Sequence, residues 1–289
     1  MADGPGDRSV PENRTEATAR LDALVREHRF TIAVVFPLVG AISLLASAEL
    51  PLPAWAAFNP FFVLFGTLVM RLPLVAGVAP LLDRKATLAL VALTAYSYAI
   101  ELVGVRTGWP YGEFAYGVDL GPMLLGEVPL GLPVFFFPLV LNAYLLVLLL
   151  LGGHAESTVK RLLATLATVI LIDLVLDPGA VAIGFWIYEQ GAFYGVPWSN
   201  YLGWLLSGAV AVVLFDVGFD RAGLRRRLEE SEFMLDDLVS FVLLWGGINL
   251  FYANWVPVAL AALLGVGLLR TERFDFDLSE TRLGGAVWR

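Results

Sequence analysis

The chain contains eight long apolar stretches, close to the roughly 20 residues that an α-helix needs to cross a bilayer. They lie at residues 30–50, 57–81, 86–105, 129–152, 159–183, 201–219, 235–253 and 255–270. A composition with 58% hydrophobic and only 16% charged residues is also outside the range of soluble globular domains. The sequence therefore predicts an all-α, polytopic membrane helix bundle of about eight transmembrane helices. Because the last two stretches are short, seven is the alternative.

The basic residues predict how these helices are oriented. If the N-terminus is cytoplasmic, all of the 19 Lys and Arg residues except Arg71 and Arg106 fall in cytoplasmic segments. Cytoplasmic loops carry an excess of Lys and Arg, and here both terminal segments are basic relative to the outer loops, which favours an even number of spans. Arg71 lies within a span and is expected to extend its charge towards the cytoplasmic side. We expect a multi-pass protein of the cell membrane with both termini cytoplasmic.

The predicted membrane topology divides the chain into three segments. Residues 1–29 are polar and are expected to form a cytoplasmic N-terminal tail without a cleaved leader, because they contain no apolar run. Residues 30–270 are the transmembrane domain, and residues 271–289 a cytoplasmic C-terminal tail. The chain has no Cys and two His, which excludes disulfides and thiol catalysis and makes a poor metal set. We expect no metal, and we find no feature that suggests nucleic-acid binding.

Two loops on the predicted outer side are rich in Gly, Pro and aromatic residues. They cover residues 104–128 and 185–200. An interfacial belt would explain the aromatic residues alone. Gly and Pro beside them indicate tight turns, so we expect these loops to fold back as packed caps.

Three carboxylic acids lie in apolar segments, where an ionised group is costly. Asp173 and Asp177 are four residues apart and share one helix face, and Glu101 ends the third span. An ionised carboxylate at bilayer depth costs about 2.5–3.5 kcal/mol. At about 1.5 Å per residue, the three acids reach a similar level near the outer leaflet. One such acid could simply cap a helix or pair with Arg106, but three at one level indicate a functional site.

Acids and aromatic rings together suit chemistry that begins with proton transfer to a lipid. A carboxyl group kept protonated by desolvation can donate to an alkene. Facing aromatic rings would stabilise the resulting carbocation by about 2 kcal/mol or more, and a second carboxylate would deprotonate water. Loss of a proton from the cation would close a ring instead. The residues alone therefore leave both a hydratase and a carotenoid or terpene cyclase open.

Three segments resemble the membrane carotenoid 1,2-hydratase family. They are ELVGVRTGWPYG at 101–112, DLVLDP at 173–178, and WIY at 186–188 followed by GAFYGVPWSNYLGW at 191–204. The similarity covers most of residues 30–270, and the acidic, Lys-poor composition is similar to the haloarchaeal branch. The resemblance implies that this catalytic domain adds water, within the bilayer, to the terminal double bonds of a C50 carotenoid, and that it needs no cofactor. Other carotenoid biosynthesis enzymes would be natural partners.

Specific residues can be assigned to this chemistry. We expect Glu101, Asp173 and Asp177 to form the acid–base set, with Asp173 as the proton donor and Asp177 or Glu101 orienting water. The expected substrate-binding residues are Arg106, Trp109, Tyr111, Trp186, Tyr188, Tyr194, Asn200, Tyr201 and Trp204. Within this set, Arg106 would keep one acid ionised, and Asn200 or Tyr201 would hold water.

Proteins of other classes could also carry acids in membrane helices. A retinal protein needs a lysine inside the membrane, but Lys85 and Lys160 lie at helix ends. A transporter usually carries its acids near the midplane, on broken helices in repeated halves. A carotenoid-binding protein without catalytic activity is the remaining alternative, and it would tolerate neutralisation of the three acids.

Overall fold

The computed structural model describes residues 9–53 and 55–276 of the 289-residue chain. Within them the α-helices are α1 (Ser9–Glu27), α2 (Phe36–Glu49), α3 (Pro60–Val78), α4 (Arg84–Thr107), α5 (Leu132–Leu151), α6 (Thr158–Ala182), α7 (Trp198–Gly218), α8 (Arg221–Glu230), α9 (Asp236–Phe251) and α10 (Trp255–Arg270). The strands are β1 (Phe114–Tyr116), β2 (Met123–Leu124), β3 (Val128–Pro129) and β4 (Trp186–Tyr188). A π-helical segment, Thr31–Val35, leads directly into α2.

The helices are those of a membrane protein. Six helical stretches are long and apolar enough to cross a membrane: Thr31–Glu49, Pro60–Leu81, Arg84–Thr107, Leu132–Glu156, Trp198–Gly218 and Glu232–Phe251. The last helix, α10, is apolar but shorter. Each of the eight predicted apolar stretches contains one long helix, with ends that differ from the predicted ones by a few residues. The predicted class, a helical membrane bundle, is confirmed.

Local sequence signals explain where the helices begin and end. Asn59 accepts hydrogen bonds from the backbone N–H groups of Phe61 and Phe62, which starts α3 at Pro60. Asp83 caps α4 in the same way. At its other end α4 stops at Gly108, whose φ of 72° is in the left-handed region that glycine adopts most readily. These signals determine how far α4 carries Glu101 towards the loops.

The two aromatic loops pack together at one end of the bundle, called here the loop end. Strands β1 and β4 form an antiparallel pair, in which Phe114 lies opposite Tyr188 and Tyr116 opposite Trp186. The end of the first loop is closed by a second small pair, β2 with β3. Because β1 and β4 come from different loops, their pairing brings aromatic side chains of both loops over the ends of α4 and α6.

Helix α5 runs through the centre of the bundle. An unbroken run of buried side chains, residues 138–148, packs against the surrounding helices, chiefly α6, α7 and α3. An ion pair adds to this packing, because the buried Arg161 of α6 donates from Nε to the partly buried Asp216 of α7 over 2.6 Å. Tyr144 of α5 donates to the same carboxylate. Three helices are thus joined through one carboxylate.

Two helices were not predicted from the sequence. Residues 9–27 form α1, whose Val25 is buried against Ala76 of α3 and Phe233. The basic segment after α7 forms the short amphipathic helix α8. Both lie opposite the loop end. Arg8, Arg282 and Arg289, which the charge analysis assigned to the cytoplasmic side, and the greater part of the predicted C-terminal tail lie outside the described residues.

Candidate active site

A cavity of about 180 Å³ opens inside the bundle near the loop end. Side chains from α3, α4, α5, α6, α7 and α9 and from both aromatic loops line it. The predicted site residues among them are Glu101, Tyr111, Asp177, Trp186, Tyr188, Asn200 and Trp204. Segments separated by up to about two hundred residues therefore contribute to one largely apolar space.

Asp173 and Asp177 form a buried pair of carboxyl groups on α6. The two residues are 1% and 2% exposed, and they lie one helical turn apart on the same face of α6. The amide of Asn200 donates to Asp177. Among the described residues, no N–H or O–H group donates a well-formed hydrogen bond to Asp173. Asp177 lies on the cavity wall, whereas Asp173 does not line the cavity and lies behind it.

Asn200 connects this pair to the aromatic cap. The hydroxyl of Tyr188 in β4 donates to Oδ1 of Asn200 over 3.1 Å, while the amide nitrogen of Asn200 donates to Asp177. Burial, followed by the nearby charge of Asp177, raises the pKa of Tyr188 well above its ordinary value. Tyr188 therefore remains a hydrogen-bond donor at all physiological pH values, and it orients the amide that holds Asp177.

Glu101 lies on the cavity wall at the end of α4. The hydroxyl of Tyr116 in β1 donates to its Oε1 over 2.5 Å. Burial and then the charge of Glu101 raise the pKa of Tyr116 well above its ordinary value, which keeps the proton on the tyrosine. Sequence analysis did not include Tyr116, although its loop was recognised. Only the pairing of β1 with β4 places this hydroxyl over α4.

Arg106 does not fill its expected role beside a cavity acid. Its guanidinium donates to both carboxylate oxygens of Glu127, at 2.6 and 2.9 Å from the nearer nitrogens, and its side chain is half exposed. This hydrogen bond lowers the pKa of Glu127. The prediction that Arg106 keeps a cavity acid ionised is wrong. The physical reason is helix geometry, because a residue five positions after Glu101 points to a different face of α4.

Tyr111 is held between two helices by glycines. A Cβ atom on Gly203 of α7 would lie 2.4 Å from the Tyr111 ring, and one on Gly104 of α4 would lie 2.9 Å from it. The ring fits only because both positions lack a side chain. Its hydroxyl then lies 2.6 Å from Oγ of Ser207.

The remaining aromatic residues predicted for the site divide into two groups. Trp204 and Trp186 line the cavity, and Trp204 packs against Phe136, a ring that sequence analysis missed, with centroids 5.5 Å apart. Trp109 and Tyr194 are exposed and are not part of the described cavity wall. Tyr201 is buried just outside the cavity, and its hydroxyl has no hydrogen-bond partner among the described residues.

Arg71 also lines the cavity, contrary to the expectation that its side chain extends towards the cytoplasmic side. It forms an ion pair with the buried Asp237 of α9, and its Nε donates to the carbonyl of Val134 over 3.3 Å. Asn142 of α5 donates to the other oxygen of Asp237 over 2.6 Å. The prediction failed because Asp237, which the analysis overlooked, neutralises the charge inside the bundle. Two adjacent acids at the start of an apolar stretch, Asp236 and Asp237, were the available signal.

Comparison with known proteins identifies the family of this chain. The profile of the family described as "Carotenoid biosynthesis protein" matches residues 58–268, and the chain belongs to this family. The chain is 80% identical over 281 residues to a protein of Haloarcula japonica named bisanhydrobacterioruberin hydratase. The alignment covers 97% of this chain and 96% of that relative. No solved structure matches the chain.

Proposed function

We propose that this protein is a carotenoid hydratase that converts bisanhydrobacterioruberin to bacterioruberin by way of the monoanhydro compound. The observation that carries the proposal is the cavity itself, in which Asp177 and Glu101 face an apolar, aromatic-lined space and Asp173 lies behind Asp177. The matched family concerns carotenoid biosynthesis, and the name of the Haloarcula japonica relative describes this activity. The substrate is accordingly a C50 carotenoid, and the second reactant is water.

The Asp173–Asp177 pair is the proposed proton donor. Two carboxyl groups one helical turn apart in a dry interior cannot both remain ionised at low cost, so the pair retains one shared proton. Asp177 lies on the cavity wall and delivers this proton to the terminal alkene, with Asp173 behind it as the group with which the proton is shared. The π electrons of the alkene form the new C–H bond, and the more substituted carbon becomes a tertiary carbocation.

Glu101 is the proposed acceptor of the proton that water loses. The hydroxyl of Tyr116 donates to Oε1 of Glu101, and no described residue donates a hydrogen bond to Oε2 of Glu101. Water forms a C–O bond with the cation and transfers a proton to Glu101, which gives a tertiary alcohol. Return of that proton from Glu101 to the aspartate pair restores the starting state, so the net reaction is the addition of one water to one alkene. General-base assistance of this kind typically contributes about 10²–10⁴-fold.

The aromatic wall protects and stabilises the cation. Tyr188, Trp186 and Trp204 line the cavity, and Phe114 packs on Tyr188 with centroids 6.1 Å apart. A cation facing such rings in a desolvated site gains about 2 kcal/mol or more. The same wall excludes bulk water, so the water that reacts is one held by the polar groups of the site.

The protein is proposed to cross the cell membrane eight times. The eight helices α2–α7, α9 and α10 would alternate in direction across the membrane, with α8 between α7 and α9. The basic residues gather opposite the loop end, which assigns that side to the cytoplasm by the positive-inside rule. Both termini are then cytoplasmic, and the cavity lies in the outer half of the bilayer. Residues 30–270 form the catalytic domain.

Isotope incorporation tests this function directly. Membranes containing the protein are supplied with bisanhydrobacterioruberin in H₂¹⁸O, and the pigments are analysed by mass spectrometry. The proposal predicts two products that contain one and two ¹⁸O atoms, formed in that order. A product of unchanged mass but altered retention would instead indicate cyclisation, and recovery of unchanged substrate would indicate a binding protein. Either of these results would contradict the hydratase assignment.

A further inference from the structure

A second polar group faces the cavity, away from the three acids. Arg71 lines the cavity, and its side chain is 11% exposed. It is paired with Asp237, whose side chain is fully buried and also accepts from Asn142. The proposed proton transfers use none of these three residues.

Arg71 and Glu101 belong to separate polar groups of the cavity wall. Glu101 accepts a hydrogen bond from Tyr116 of the aromatic cap. Arg71 instead donates to the backbone of Val134 in α5 and to Asp237 of α9. The cavity wall therefore carries an acid and a guanidinium that bond to different elements of the fold.

The hydrogen bonds of Arg71 leave one of its nitrogens available to a ligand. Nη1 of Arg71 donates to Asp237 and Nε to Val134, but no described residue accepts from Nη2. Oδ1 of Asn142 is also buried without a hydrogen-bond partner among the described residues. An ion pair that only joined α3 to α9 would not need to face a cavity. An N–H group without an acceptor on a largely apolar cavity wall is costly, so an acceptor on the ligand would be favoured here.

We propose that Arg71 binds a neutral oxygen of the ligand, a hydroxyl or carbonyl group located farther along the chain than the alkene that reacts. The inference rests on the proposed function, because it assumes a long, apolar ligand whose reacting end lies against Asp177. Asp237 cancels the charge of Arg71, so a neutral oxygen is preferred over a carboxylate or phosphate. This contact sets how far the ligand enters, and it selects polyenes that already carry an oxygen near the end.

A pair of matched ligands tests this selection by binding rather than turnover. One is a polyene with a tertiary alcohol near its terminal alkene, and the other is the same polyene with hydrogen in place of the hydroxyl. Binding to the full chain in detergent is followed through the visible absorption of the polyene. The wild-type protein should bind the alcohol on the order of 10- to 100-fold more tightly, the range of one hydrogen bond to a charged group.

The informative variant is Arg71→Met combined with Asp237→Leu. Replacing both partners avoids a buried unpaired charge, which would destabilise the protein. We expect this variant to bind the hydrocarbon as the wild-type protein does, which shows that the cavity is intact, and to lose the preference for the alcohol. Retention of the preference in the variant, or its absence in the wild-type protein, would overturn the proposal.

Failure of the proposed function has a different signature in the same samples. If the wild-type protein prefers the alcohol but forms no hydrated product from it, the hydratase assignment fails while the role of Arg71 stands. If hydration proceeds but the two polyenes bind equally, the role of Arg71 fails while the hydratase assignment stands.

Discussion

Tyr116 donates a hydrogen bond to Glu101 across 2.5 Å, from a loop strand to the end of a membrane helix. The contact exists because β1 pairs with β4, which brings the first aromatic loop over α4. The position of the cavity carboxylate therefore depends on a loop as well as on its own helix. The same strand pairing places Tyr188 above Asn200 and Asp177. The aromatic cap thus orients acids on two helices at once.

Replacing Tyr116 with Phe should lower turnover by about 10- to 100-fold, the effect of one hydrogen bond to a charged group. The ring would still pack against Phe114, so the cap should form. Initial rates of hydration in membranes measure the effect. The control is Tyr194→Phe, because the Tyr194 hydroxyl accepts from the backbone of Val256 outside the cavity. Equal loss in both variants would show that Tyr116 does not act through Glu101.

Replacing Gly203 with Ala should displace Tyr111 and reduce activity, because the added Cβ would lie 2.4 Å from the ring. The ring must move away from Ser207 and into the cavity. Gly66→Ala in α3 is the matched control, since no atom lies within 4 Å of its added Cβ. Hydration rates of the two variants, at equal protein amounts, measure the difference. Normal activity in Gly203→Ala would contradict the close packing of Tyr111.

Replacing Arg106 with Ala should leave hydration near the wild-type rate. Arg106 pairs with Glu127 at the surface rather than with a cavity acid, and surface ion pairs contribute little. A pH–rate profile is the sharper measurement. The account predicts the same profile for the variant and the wild-type protein, whereas an Arg106 that held a cavity acid ionised would shift it.

Replacing Arg161 with Met should destabilise the bundle but leave the residues that line the cavity unchanged. Arg161 is fully buried and binds Asp216 through two nitrogens. Removal of Arg161 leaves the partly buried charge of Asp216 without its partner, and this loss destabilises the folded state. Thermal unfolding in detergent should show a lower midpoint for Arg161→Met. Adding Asp216→Leu should restore much of the loss, and a further decrease would contradict this explanation.

Sequence patterns predicted the features of this protein that depend on neighbouring residues. The lengths of the apolar stretches predicted where the long helices lie. The four-residue spacing of Asp173 and Asp177 predicted that these two residues share one helix face. The aromatic loops were recognised by their Gly and Pro content. In each of these cases the signal and the structure lie within the same short segment.

The features that were missed depend on residues far apart in the chain. Arg71 and Asp237 are separated by 166 positions, and nothing local to either indicates its partner. The pairing of β1 with β4 joins two loops about seventy residues apart, so Tyr116 could not be placed over Glu101 beforehand. Arg106 was misassigned because nearness in sequence was taken for nearness in space. Packing between helices, rather than local propensity, decides such contacts.

The proposed source of the proton that begins hydration is the buried aspartate pair. The most direct measurement is mass spectrometry of pigments from cells that lack the gene, complemented with the wild-type protein or with Asp177→Asn. Immunoblots of the membrane fraction establish equal protein levels. The account predicts bacterioruberin with the wild-type protein and accumulation of the anhydro precursors with Asp177→Asn. Normal hydrated pigment from Asp177→Asn would remove the aspartate pair from the mechanism.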